Sequence, residues 1–118
     1  MIKEAAYYGV ITSSLLLAAF LFLSANTHHS YAEPEEFMSD MEWEVDRYGC
    51  DYKGFDLPTS DPTLCEDACA RDPICKAWTY IKPNTVQGPR PRCWLKKDIP
   101  APRQSVHTVS GIKIKAGE

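Results

Sequence analysis

Five cysteines are the residues of this chain whose type and spacing could do chemistry: Cys50, then Cys65, Cys69, Cys75 and Cys93 in the pattern C-x3-C-x5-C-x17-C. Sulfur so spaced can ligate zinc, cycle between thiol and disulfide, or cross-link a fold. Structural zinc sites use C-x2-C pairs or a following pair of histidines, and neither occurs here. A thioredoxin-like redox centre needs C-x-x-C, which is also missing. Cross-linking is left, and four cysteines allow three pairings. Cys65 and Cys69 are four apart on a predicted helix, so they share one face and cannot easily bridge each other. Cys69 ends that helix and Cys75 follows a proline turn; their closeness favours Cys69–Cys75 and leaves Cys65–Cys93. In the chain-entropy account the short loop is worth ~2 kcal/mol and the long one ~3.5 kcal/mol. Cys50 has no fifth partner in the chain, and is read as an unpaired thiol with an intermolecular bridge as the alternative.

Other chemistry is sparse. His28 and His29 fall in the N-terminal segment, which leaves His107 as the one imidazole beyond residue 32. A nucleophile needs a neighbouring base, and His107 lies in a strand-like stretch suited to a surface or packing role. No Gly-x-Ser-x-Gly, phosphate-binding loop or metal motif occurs. Glu66 and Asp67 are adjacent on the predicted helix and diverge, so they make poor acid–base partners. The expectation is a non-enzyme with no catalytic residue, no metal and no cofactor.

The elements that position these residues begin with an export segment. An apolar run over residues 9–25 follows a single Lys3, and Ser30 and Ala32 stand at −3 and −1 of a cut before Glu33. That is the signal-peptidase pattern, so residues 1–32 are expected to be removed. An uncleaved membrane anchor is the alternative, though the run is near the short limit for a span. The protein is then periplasmic or extracellular, or membrane-anchored and facing outward. Residues 33–118 make a domain too small to rest on its core alone, and disulfides are the usual support for an exported chain of this size.

The net charge of −3 hides an asymmetry. Acids crowd residues 33–61, against Arg47 and Lys53 only, whereas residues 82–115 carry eight bases and one acid, Asp98. Two solvated surfaces explain this, and so does a basic patch that attracts an acidic partner or polysaccharide and weakens with salt. An acidic, exported chain is a poor nucleic-acid binder.

Residues 33–44 are acidic and aperiodic and read as a flexible arm. Residues 52–57 alternate as a strand, and 58–62 break it. Ser60 or Asp61 can cap a helix that has Pro62 at its first position, with early acids suited to its N-terminus; Asp72-Pro73 ends it. Residues 75–81 read as a strand with Cys75, Ala77, Thr79 and Ile81 on one face and Lys76, Trp78 and Tyr80 on the other. Residues 82–91 are a proline-rich loop, 92–96 a short strand, 99–102 an extended connector, and 106–114 the closing strand. The domain is placed at residues 45–115, with 116–118 as a tail.

These residues carry a resemblance. Asp51-Tyr52, Phe55-Asp56-Leu57, Asp61-Pro62-x-x-Cys65-x-x-x-Cys69, Asp72-Pro73-x-Cys75-x-Ala77-Trp78-Thr79-Tyr80, Gln87-Gly88-Pro89, Cys93-Trp94-Leu95-Lys96 and Val109-Ser110-Gly111 together resemble the PAN/apple domain in its short bacterial form, over residues 46–113. The resemblance implies an α+β fold, one helix cradled by a curved antiparallel sheet, with two bridges tying helix to strands. Relatives often carry cysteines just before Val-Ser-Gly, where this chain has His107 and Thr108, so a third bridge joining the ends is absent and fraying ends are expected. The resemblance also implies a recognition module for protein or carbohydrate. Contact residues are then Tyr48, Trp78, Tyr80 and Trp94, with the basic set Arg90, Arg92, Lys96, Lys97 and Arg103, and the 82–91 loop sets specificity. The three strand aromatics suit core packing equally. A second functional expectation is an envelope structural or assembly factor, held by its N-terminal segment or linked in pairs through Cys50.

Overall fold

The computed structural model describes residues 31–117. The apolar run lies outside the described residues; the end of the export segment, Tyr31 and Ala32, is exposed. The one helix among the described residues, α1 (Pro62–Arg71), starts where the sequence places it. Asp61 is extended, and its carboxylate accepts a 2.9 Å hydrogen bond from the Thr63 amide. Pro62 then takes a position whose missing N–H costs nothing. Glu66 and Asp67 sit beyond the first turn, which holds no acid, so capping and not charge on the helix dipole secures this end. At the far end the Asp72 amide bonds the Cys69 carbonyl and its carboxylate accepts the Ile74 amide, a turn that ends the helix before Pro73.

Among the described residues six strands accompany α1: β1 (Glu36–Met38), β2 (Glu42–Asp46), β3 (Asp51–Asp56), β4 (Ala77–Ile81), β5 (Arg92–Lys96) and β6 (Arg103–Lys115). They form a curled, wholly antiparallel sheet in the order β1-β6-β4-β5-β3, with β2 also on β6. Register puts Trp78 opposite Leu95 and Gly111, and Tyr80 opposite Cys93 and Val109. Directly opposed residues share a face, so these six line the face that α1 covers. Cys65 and Cys69, both fully buried, point into it. Cys65 bridges Cys93 of β5 at a Cα separation of 5.3 Å, and Cys69 bridges Cys75 at 5.2 Å. Leu57, Trp78, Tyr80, Leu95 and Val109 pack around the sulfurs. The fold is thus α+β, one helix cradled by a curved antiparallel sheet and stapled by two disulfides.

Three expectations change. Cys75 precedes β4 and turns to the helix side to meet Cys69, instead of sharing the face of Ala77 and Thr79. All five β4 residues are buried, because the sheet curls over its second face as well. The acidic stretch 33–44 is not a loose arm. Phe37 pairs with Ile114, Trp43 with Val109, and the Ala116 amide bonds the Glu35 carbonyl at 2.8 Å. Met38 and Met41 pack on the core. The two ends of the domain are therefore zipped by main-chain pairing where a third bridge was missed. Composition hid this, since β1 is mostly exposed and its order comes from hydrogen bonds to β6, which leave no burial pattern to read.

The charge asymmetry also resolves on folding. Antiparallel pairing lays the acidic strands against the basic ones, giving Asp46–Arg103 (3.0 Å), Asp56–Arg92 (3.0 Å), Asp51–Lys96 and Glu36–Lys115 (3.9 Å). Four of the eight bases over residues 82–115 are thus matched by an acid of a neighbouring strand among the described residues.

Tyr52 bulges from the β3–β5 register and reaches the end of α1, where its hydroxyl donates to the Asp72 carboxylate at 2.7 Å. Desolvation first, then that bond and its negative partner, push the Tyr52 phenol far above its ordinary value, so it stays a donor. The same bond, the Ile74 amide, and the charges of Lys53 and Lys113 hold Asp72 below its ordinary range against a smaller opposing effect of burial. A carboxyl depressed on folding stabilises above its unfolded pKa, and loses that contribution as pH falls through its folded pKa. Tyr52→Phe should therefore narrow the stability gained between acid and neutral pH. The gap in urea midpoint between wild type and Tyr52→Phe is expected to be wider at pH 6 than at pH 2.5; an equal gap at both would contradict this account.

Candidate functional site

On the face away from α1, β5 presents Arg92, Trp94 and Lys96 two residues apart, the spacing that puts side chains on one side of a strand. Opposite them lie Asp56, Gly54 and Asp51 of β3, and Thr79 and Ala77 of β4. Gly54 is required here: a Cβ would collide with the outer edge of the Trp94 six-membered ring. That ring is half-buried, its Nε1 donates to Gln87 Oε1 at 2.8 Å, and the Arg92 guanidinium lies 4.7 Å from its centre. Gln87 belongs to the 82–91 loop, so this loop does reach the strand face.

The β2–β3 turn forms the other wall. Arg47 is buried and anchors it, holding Glu42 through two bonds of 2.7 and 2.8 Å and the Pro100 carbonyl at 2.6 Å. The chain then turns through Gly49 (φ 102°) and Cys50 (φ 58°), a left-handed pair that favours glycine at the first and is unusual for cysteine at the second. Lys96 holds the turn from below. Its ammonium, on a residue only 2 % exposed, donates to the Gly49 carbonyl at 3.1 Å and to Asp51. Tyr48 is left 73 % exposed, with the Arg103 guanidinium 4.4 Å from its ring centre.

Between these walls is a groove of about 240 Å³ lined by Tyr48, Asp51, Thr79, Gln87, Trp94 and Lys96, among others. Each aromatic wall carries an arginine, and each arginine carries its own aspartate. Such stacks fix the ring and the cation together and are worth ~0.5–1 kcal/mol where exposed.

The sequence-based contact residues divide. Trp94 and Tyr48 line the groove, with Arg92 and Arg103 stacked on their rings. Trp78 and Tyr80 do not: they are 0 % and 3 % exposed on the helix face, where indole and phenol fill the core. Burial, the dominant effect, raises the Tyr80 phenol above its ordinary value. Lys96 is corrected from surface cation to buried pillar. Arg90 and Lys97 are exposed, outside the groove, and without an ion-pair partner among the described residues. Asp51, Thr79 and Gln87 were missed, because only strand register and the loop's return bring them to Trp94. Cys50 is unpaired and exposed on the turn.

Comparison with known families agrees with this architecture. Residues 45–96 match a family model described as PAN domain, a stretch running from β2 to the end of β5 and holding both disulfides and most of the groove. No curated protein and no solved structure matched the chain. PAN domains are in general non-catalytic binding modules for protein or carbohydrate, and paired disulfides of this kind belong to exported proteins. The match, laid over one helix cradled by a curled and disulfide-stapled antiparallel sheet, shows that the chain carries a domain of the PAN/apple family.

Proposed function

We propose that the protein is an exported recognition module that binds its ligand in the groove between Tyr48 and Trp94, on the sheet face opposite the helix. One observation carries this reading: two aromatic rings, one largely exposed and one half-buried, are each held by a stacked arginine around a single polar hollow. A ring immobilised before binding loses little entropy on contact, and this makes it an effective anchor. The reading includes removal of residues 1–32 on export and action in the periplasm or outside the cell.

The test is a pull-down of envelope extract and of arrayed glycans with the exported full chain, set against Tyr48→Ala and the control Arg90→Ala. Tyr48→Ala is expected to reduce retention by about tenfold, the equivalent of one anchoring contact, and Arg90→Ala by less than about twofold. Equal retention by all three proteins would remove the groove from the function. A non-reducing gel of the same preparation addresses the second reading, which the exposed Cys50 favours: a reducible dimer there would point to a disulfide-linked envelope component.

A further inference from the structure

The hydrogen-bond inventory of the groove narrows the ligand's chemistry. This step rests on the groove being the binding site. Ser110 Oγ has a single hydrogen, and it donates to the Val45 carbonyl at 2.7 Å. In the 2.8 Å contact between Thr79 and Ser110 the proton must then come from Thr79. Thr79 Oγ1 therefore keeps its acceptor capacity at the groove, although the residue is 1 % exposed. Lys96 has three N–H donors and uses two, on Gly49 and Asp51. Gln87 receives the Trp94 N–H on its oxygen, which leaves its amide hydrogens as donors. The hollow thus offers donors and an acceptor side by side, between two aromatic walls.

The charged residues lining it are Asp46, Asp51 and Lys96, and the Arg92 and Arg103 guanidinium groups stack on the two rings beside it. Arg92, Lys96 and Arg103 are matched one to one by Asp56, Asp51 and Asp46. An anionic ligand would face the two lining carboxylates, and a cationic one the Lys96 ammonium and the stacked guanidinium groups. The volume of about 240 Å³ lies below the roughly 300–1,000 Å³ of pockets for drug-sized ligands, so it takes one ring-sized unit.

We infer that the groove binds a neutral saccharide, with one pyranose unit lying against Trp94 and Tyr48 while its hydroxyls bond Thr79, Lys96 and Gln87. A sugar ring has what the site requires: an apolar C–H face for the aromatic walls, and hydroxyls that both donate and accept. A protein loop presents such groups singly on a flexible segment, whereas a pyranose carries several on one rigid ring, close enough together to reach Thr79, Lys96 and Gln87 in a hollow this small.

The experiment follows the Trp94 indole N–H signal of the full chain by NMR, assigned by its loss in Trp94→Phe. The titrants are glucose, galactose, N-acetylglucosamine and their short oligomers, beside glucuronic and galacturonic acid. At least one neutral sugar is expected to shift the signal saturably, with a midpoint that changes less than about twofold between 50 and 500 mM salt. The uronic acids should bind no more tightly. Tyr48→Ala, which removes only an exposed side chain, is expected to weaken the neutral sugar about tenfold. Thr79→Val is expected to do the same if the fold, checked by near-UV circular dichroism, is kept. Preference for uronic acids with loss at high salt would overturn the inference. So would silence to every sugar while Tyr48→Ala still abolishes capture of an envelope component; that result would spare the groove and sink the saccharide. Silence to sugars together with capture indifferent to Tyr48 would sink both.

Discussion

Replacing Cys65 and Cys93 together by alanine is expected to cost about 3–4 kcal/mol and to leave the domain largely unfolded at 37 °C. The bridge spans 28 positions of sequence, so its loss frees a long loop in the denatured chain. Both sulfurs are fully buried, and alanine leaves a void between α1 and β5 on top of the entropic effect. A domain of this size has a net stability toward the lower end of about 5–15 kcal/mol, so this one bridge is a large share of it. Alanine is the better replacement because serine would bury hydroxyls without partners. The companion variant, Cys69→Ala with Cys75→Ala, opens a separation of only 6 and is expected to cost about 2 kcal/mol. Urea midpoints followed by far-UV circular dichroism would rank the two. If opening the short loop cost as much as opening the long one, loop closure would not be the main source of the stability.

Trp78→Ala is expected to be as damaging, at about 3–5 kcal/mol. The side chain is completely buried against the helix, and its indole lies over Gly111 of β6. A Cβ at Gly111 would stand 2.6 Å from Trp78 Nε1, and the neighbouring ring atoms are almost as near. Gly111→Ala is therefore expected to cost about 1–3 kcal/mol by overpacking, through contact with the ring and not through backbone angles. The two sites should couple. In the Trp78→Ala background the extra methyl has room, and most of the Gly111→Ala penalty should vanish. Additive costs in that double-mutant cycle would contradict the packing argument. Trp78 Nε1 is also buried without a hydrogen-bond partner, so Trp78→Phe loses area but sheds an unsatisfied donor. It should be the mildest substitution at this position.

Much of this arrangement was legible beforehand. The helix with its proline start, the strand at 92–96 and the loop at 82–91 follow from local chemistry: capping, proline stereochemistry and short-range alternation. The groove was legible only in part. Trp94 and Arg92 could be put on one strand face by their spacing alone. Tyr48 could be named, but not placed beside them. Asp51, Thr79 and Gln87 carry no local signal, because their role depends on which strand lies next to which. The basic stretch was legible only in part, for the same reason. Charges far apart in sequence look unpaired until antiparallel register sets Arg92 against Asp56 and Arg103 against Asp46.

The chain's own order of residues determined the helix, the sulfur pairing that closes the shortest loop, and the family. These depend on interactions within a few residues, or on cysteine positions that leave few choices. Tertiary structure alone decided that the acidic N-terminal stretch is a pair of strands, that Trp78 is core whereas Trp94 is groove, and that Lys96 is a buried prop of the β2–β3 turn instead of a free surface cation. Each of those outcomes is set by a partner dozens of residues away. Side-chain type specifies what a residue can do, and the neighbour brought by sheet register specifies which of those things it does.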